Sequence, residues 1–335
     1  MKNISIVYSK PDHMTGVYRY SLSVMDGLLK KGIPFDSIPI KKIEYSLFGK
    51  PIGGFISQKV LSKFIHVQPG IVHSMSPESV IKQTNFVTIH DLIRLKWAHL
   101  FPSNKFANDY VHNMTDRASK IPNIIADSYN TKNDLISILN IDPDAISVVY
   151  PSISDEFKPI PISPYPDDGK IHLVTLGDFN PRKRVDLLVK FLADNKDCDL
   201  YIIGSPGAWK SNQLRYEQMT KATTNIHLVG YQEHISVVGY LSNADLFVMY
   251  SMDEGFGLPP LEAMACGVNV LVNDIPIFHE TMGDVAFYFN DGNFGQSLQN
   301  ALTNKRTVSE VTRCARRFSV ERQIQGLLGC YERMM

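Results

Sequence analysis

Short apolar runs rich in valine and isoleucine recur along this chain: ISIVYS, IVHSM, FVTIHD and NIIADS, then HLVTLGD, LYIIG, IHLVG, DLFVMYS and NVLVND. Each is apolar at consecutive positions, so a strand built from it has two faces to bury. A parallel sheet covered by helices on both sides meets that demand, and helical patterns do separate the runs. The two series of runs are divided by YPSISDEFKPIPISPYPDDG (150–169), which is proline-rich, has no helical period and reads as a linker. A length of 335 residues suits two domains. The fold class expected is doubly wound α/β, formed twice. The first domain would be residues 1–150, the linker 151–169 and the second domain 170–315. A terminal helix over 316–335 would include VERQIQGLLGCYERMM.

Charge and cysteine content exclude several classes. Lysine plus arginine number 34, as do aspartate plus glutamate, so nothing points to a nucleic-acid partner. Cys198, Cys266, Cys314 and Cys330 are far apart, without a C-x-x-C pair or a histidine at ligand spacing, which argues against zinc and against a disulfide framework. The opening MKNISIVYSK enters a strand pattern without a signal-peptide profile, and no apolar run approaches the roughly 18 residues of a membrane span. A cytoplasmic protein is expected. Residues 41–66 carry Lys41, Lys42, Lys50, Lys59 and Lys63 against Glu44 alone. That pattern suits a solvated helix with an apolar inner side, and equally a peripheral membrane contact on anionic lipid.

Ligands of open α/β sheets bind beyond the carboxyl ends of the strands, so residues just after a run carry the chemistry. DEGFGLPPLEAMACG follows DLFVMYS. Pro259 or Pro260 suits the first helical position and Gly267 the position after the last turn. A short helix would then aim its amino end at the ligand, where free N–H groups attract anions and Gly255 and Gly257 admit close approach. Glu254 in the loop and Glu262 in the first turn would accept hydrogen bonds from vicinal hydroxyls of a sugar or ribose. A helix-start carboxylate and a solvated loop charge explain the same residues. In GDFNPRKRVDLLVKFL, Arg182, Lys183 and Arg184 stand at a helix start, where cations oppose the macrodipole unless a diphosphate is bound. In HMTGVYRYSLSVMDGLL, Gly16 opens a helix, although the G-x-G-x-x-G fingerprint is absent. FVTIHDLI ends on His90 and Asp91, either a candidate base and sugar ligand or a structural His–Asp pair. The D-x-D sequences at 142–144 and 197–199 precede strands, at the wrong end for a ligand, and read as turns. No metal is expected.

Together these stretches resemble glycosyltransferase family 4, the retaining sugar transferases of the GT-B fold, over nearly the whole chain. EGFGLPPLE (254–262) looks like the family's glutamate, seven residues, glutamate motif. GVYRYSLSV looks like its first-turn phosphate loop, IHDLI like its sugar-side histidine segment, and LYIIGS and IHLVGYQ like the strands flanking the base. DIPIFHETMGDVAFYF is similar to a stretch of the mannosyl-transferring branch. Departures are Gly177-Asp178 where the family commonly has Gly-Arg, Thr15-Gly16 where many members have Gly-Gly, and Asn269 where proline is usual.

The resemblance implies two Rossmann-like domains facing a central cleft. It also implies transfer of a hexose, mannose or glucose, from a nucleoside-diphosphate sugar to a hydroxyl of a glycan, lipid or small molecule. In that reading Lys183 and Arg182 hold the diphosphate, His90 and Glu254 orient the sugar, and Glu262 holds the ribose. Gly16, Asp91, Gly230, Gly255, Phe256, Gly257 and Leu258 complete the donor-binding set. A nucleotide-sugar epimerase of the same architecture and a non-catalytic sugar-nucleotide-binding subunit are the alternatives.

Overall fold

The computed structural model describes residues 3–10, 15–41, 45–47, 50–52, 65–101, 113–205, 209–221 and 223–333. Lys42, Lys59 and Lys63 of the lysine-rich stretch lie outside these. The chain divides into two compact units. Unit 1 comprises Met1–Ser152 with Phe318–Met335, and unit 2 comprises Ile153–Arg317.

Unit 1 contains β1 (Asn3–Lys10), β2 (Asp36–Lys41), the antiparallel pair β3 (Tyr45–Leu47) and β4 (Lys50–Ile52), then β5 (Gly70–Ser74), β6 (Phe86–Ile89), β7 (Asn123–Ala126) and β8 (Ile146–Val148). Its six-stranded sheet has the order β2-β1-β5-β6-β7-β8, parallel throughout. The opening helix Gly16–Lys30 is capped by Thr15, whose hydroxyl oxygen accepts from the Tyr18 amide at 3.2 Å. It packs on the terminal helix Val320–Glu332, whose Ile324, Leu327 and Tyr331 join the core of this unit. At Gly27 the two helices approach so closely that a Cβ would stand 2.5 Å from Ile324 Cγ1. Tyr331 also reaches into the sheet, its hydroxyl lying 2.6 Å from Nδ1 of the buried His73.

Unit 2 contains β9 (Ile171–Leu176), β10 (Cys198–Ile203), β11 (Ile226–Gly230), β12 (Leu246–Met249), β13 (Val270–Asn273) and β14 (Phe287–Phe289). The order is β11-β10-β9-β12-β13-β14, all parallel. Every residue of β10, β12 and β13 is buried, as expected of strands sandwiched by helices. The strand order reverses between β9 and β12, so the ligand crevice of such a sheet falls at the carboxyl ends of these two strands.

Backbone contacts fix those ends. The Gly177 amide donates to Ile203 O at 3.0 Å, and the Gly204 amide donates to Gly230 O at 2.9 Å. Gly204 has φ +153, and a Cβ there would stand 1.8 Å from Gly177 O. No side chain fits between these two strand ends. Gly204→Ala should therefore cost on the order of 3 kcal/mol, whereas Gly16→Ala, whose Cβ meets nothing within 4 Å, should stay within about 1 kcal/mol of the parent. Urea denaturation of the two variants checks this, and equal effects would contradict it.

Candidate functional site

The loops that follow β9 and β12 meet at the switch point. The β9 loop runs through Gly177 into a 3-10 turn, Pro181–Lys183, which Asn180 caps by accepting from the Arg182 amide at 3.1 Å. Arg182 and Lys183 thus precede the helix Val185–Leu192 instead of standing within its first turn; Arg184, at φ +40, is the junction. The β12 loop starts at Ser251, whose backbone is held on both sides by the Asn273 side chain, at 2.8 and 2.9 Å. The Met252 amide donates to Arg182 O at 2.9 Å, which joins the two loops directly.

Glu254 is the centre of this arrangement. Its Oε1 lies 2.6 Å from Arg182 Nη1, accepts from Ser251 Oγ at 2.8 Å and is ion-paired to Lys183 Nζ. Arg182 also donates to Ser251 Oγ at 2.9 Å and to the Asp253 carbonyl. Arg182, Lys183 and Glu254 are each less than a tenth exposed, or just at that limit. Burial acts to raise the Glu254 carboxyl pKa, and the charges of Arg182 and Lys183 outweigh it and bring the value down to about 2. Lys183 is lowered, by burial first and by the neighbouring Arg182 charge, with Glu254 opposing. Two buried cations, Arg182 and Lys183, share the Glu254 carboxylate, and Lys183 also feels the charge of Asp178.

The helix after this loop is Leu258–Ala265, one residue earlier than the prolines suggest, with Pro259 in its first turn and Gly257 as its cap at φ +86. A Cβ on Gly257 would stand 2.9 Å from Phe278 Cε1. Gly255 and the buried Phe256 lie in the turn before it, and Leu258 opens the helix half-buried. Glu262 is consequently the fifth helical residue and not part of the first turn; it is half-buried. Gly267, at φ +88, follows the last turn as its sequence position indicates. Gly230 ends β11, two strands from β9.

Unit 1 carries the remaining candidates. Gly16 opens its first helix. His90, just past β6, pairs with Asp127, not with its neighbour Asp91, which instead accepts from the Ile93 amide at 3.0 Å. The structural pair that the sequence suggested is thus made across two strands, because the residues that end adjacent parallel strands sit side by side. Ser251 and Asp127 were missed. Each stands immediately after a buried apolar run, and that position was their available signal.

Of the two D-x-D sequences, 142–144 is a turn, with Asp142 accepting from the Asp144 amide at 3.0 Å. In the other, Asp197 stands in the turn and Asp199 already lies within β10. It faces Lys170 Nζ at 2.9 Å and His227 Nε2 at 3.1 Å, near the amino end of the strand. Among the described residues, no helix is long and apolar enough to cross a membrane.

Residues 163–305, nearly all of unit 2 and the whole of this ion cluster, match the family described as glycosyl transferases group 1. Unit 2 thus contains a segment similar to the group 1 glycosyl transferases, over less than half of the chain. Among relatives, the O-antigen chain mannosyltransferase RfbU of Salmonella typhimurium is 26% identical over 224 residues, covering 65% of this chain and 60% of the relative. The chain thus spans less than two thirds of that protein's length. Among solved structures, sucrose-phosphate synthase from Thermosynechococcus elongatus superposes with a TM-score of 0.77 at 16% identity, covering 100% of this chain and 99% of that one. The Anabaena protein Alr3699/HepE, solved with UDP-glucose, gives 0.72 at 13% identity, covering 99% and 100%. These structural likenesses establish the two-domain α/β fold.

The charge imbalance at Glu254 predicts unequal variants. Glu254→Gln strands two buried cations and should cost on the order of 3 kcal/mol, whereas Lys183→Met leaves one cation for one carboxylate and should cost within about 1 kcal/mol. Chemical denaturation at pH 7 measures both, and a Lys183→Met loss as large as that of Glu254→Gln would contradict the sharing of Glu254 by two cations.

Proposed function

We propose that the chain is a retaining glycosyltransferase that moves a hexose, mannose or glucose, from a nucleoside-diphosphate sugar to an acceptor hydroxyl of a glycan, lipid or small molecule. The observation that carries this reading is the buried cluster of Arg182, Lys183 and Glu254 at the β9/β12 switch point, within the segment that matches the group 1 family. A diphosphate is a ligand that two buried cations at a strand end suit. The mannosyltransferase relative supports the choice of sugar, and the nucleotide sugar held by the Anabaena neighbour supports the donor class.

In this mechanism the donor diphosphate is received by Lys183, Arg182 and the Leu258 amide that opens the helix Leu258–Ala265, since Pro259 and Pro260 next in that helix carry no N–H. Glu262 accepts from the ribose, Glu254 from sugar hydroxyls, and His90 serves the sugar. As the bond from the anomeric carbon to the phosphate oxygen breaks, negative charge grows on the leaving diphosphate, where fixed cations lower the barrier most. The acceptor oxygen bonds to the anomeric carbon on the same face, and its proton passes to the departing phosphate. No protein nucleophile and no metal are required. Peripheral membrane contact through residues 41–66 belongs to the same reading where the acceptor is a lipid.

A thermal-shift screen with UDP-, GDP- and ADP-sugars tests donor binding, because a ligand of the folded state raises its melting temperature. Lys183→Met should weaken the donor by about 1.5 to 3 kcal/mol, tenfold or more in Kd, and slow transfer as well. Normal donor affinity in that variant would move the phosphate site elsewhere. Turnover should survive excess EDTA. Loss of activity that magnesium or manganese restores would overturn the metal-free mechanism, and conversion of the sugar nucleotide without an acceptor would replace transfer by epimerisation.

A further inference from the structure

Three adjacent parallel strands of unit 1 end side by side, and the residues just past them make one constellation: Met75 after β5, His90 after β6 and Asp127 after β7. His90 meets an acceptor at each ring nitrogen. Nδ1 lies 2.5 Å from Asp127 Oδ2, and Nε2 lies 2.9 Å from the Met75 carbonyl oxygen. A carbonyl oxygen only accepts, so Nε2 carries a hydrogen. A neutral imidazole has one N–H, and with that on Nε2 its Nδ1 lone pair would face a carboxylate at hydrogen-bond distance. A proton must therefore lie in the Nδ1 contact, and the charges of Asp127 and Asp91 favour it on the ring, as an imidazolium facing a carboxylate. The backbone holds the constellation still. Thr131 Oγ1 donates to His90 O at 3.1 Å from the helix that begins beyond Asp127, and Ser128 Oγ caps that helix by accepting from the Thr131 amide at 2.9 Å. Asp127 is 4% exposed.

We propose that Asp127 is a positioning residue of the transfer reaction: it holds His90 as an imidazolium with two N–H groups, so that His90 contributes a fixed positive charge and never acts as a base. This rests on the transferase reading above and assigns within it a residue that the sequence did not single out. The titratable groups around the ring agree. Asp91 adjoins it on the same strand end, Tyr20 meets it edge-on at 4.8 Å, and His73 lies on the neighbouring strand. Burial lowers the His90 value, but the charge of Asp127, its hydrogen bond, that of Met75 and the charge of Asp91 raise it from 6.5 to about 9. His73 moves oppositely, lowered to about 3 by burial and by the His90 charge, and stays neutral. Tyr20 is raised by burial and by the Asp127 charge, and also stays neutral. A histidine already protonated at neutral pH takes no proton from the acceptor, consistent with that proton leaving on the diphosphate.

Two measurements test this, and the first needs no activity. The His90 ring resonances, identified by their loss in His90→Gln, should titrate near pH 9 in the parent and below 6.5 in Asp127→Asn. Titration of the parent near or below 6.5 would overturn the assignment, whether or not Asp127→Asn folds. The second is the pH dependence of kcat/KM. The parent should show no change from this group between pH 6 and 8. Asp127→Asn should lose about tenfold for each pH unit above its new, lower value, and Asp127→Glu should restore the flat profile. A variant slowed equally at every pH would make Asp127 a merely structural residue and sink the proposal. Titration near 9 in a protein that moves no sugar from any donor would overturn the transferase reading and leave the Asp127–His90 pair standing.

Discussion

A sheet buried on both faces leaves room for a ligand only at the ends of its strands. In both units the strands are apolar across consecutive positions, so helices must cover each face and every connection must cross an end. Chemistry is thereby confined to the first few residues past each strand. The switch point narrows the choice further, since only there do two neighbouring loops leave in opposite directions. Arg182 and Lys183 come from one of those loops and Glu254 from the other. Their meeting is a consequence of strand order and not of sequence proximity, for they are 71 residues apart or more.

The cluster that results is poised rather than relaxed. Removing ions from water is costly, and a buried carboxylate recovers that cost only when its partners are close and well aimed. Glu254 has such partners, whereas the two cations must share it. A site that binds a doubly charged ligand is served by this imbalance. The cations are already desolvated and fixed by Asn180, Ser251 and the Met252 amide, so little reorganisation remains for the ligand to drive. The protein carries this strain in a region whose backbone is locked by Gly204 against Gly177.

Much of this was legible in the sequence, for identifiable reasons. Consecutive apolar runs give strands buried on both faces, and all those named in the two series are strands here. The cap at Gly267 and the grouping of the charged candidates after strands follow from local rules. Partners were less legible. Glu254 was expected to await hydroxyls, yet in the folded chain it is engaged by Arg182, Lys183 and Ser251, because the pairing depends on which strands are neighbours. His90 was matched with Asp91 by adjacency, whereas the sheet delivers Asp127 from 37 residues on. The helix start at Leu258 was missed by one residue because Gly257 adopts a left-handed conformation that proline positions do not reveal. Asp199 was assigned to a turn although its neighbours Lys170 and His227 make it tolerable within a strand.

The return of the terminal helix bears on synthesis. Ile324, Leu327 and Tyr331 belong to the core of unit 1, and the Tyr331 hydroxyl meets His73 within it. A ribosome delivers all of Ile153–Arg317 before it delivers those side chains. Unit 2 can therefore close as a complete domain while unit 1, whose first strand emerged long before, still has an open face along its opening helix. The core of unit 1 is thus completed only after the whole of unit 2 has been synthesised. During that interval the nascent chain exposes the apolar groove that Val320–Glu332 will fill, which is the form in which chaperones would meet it.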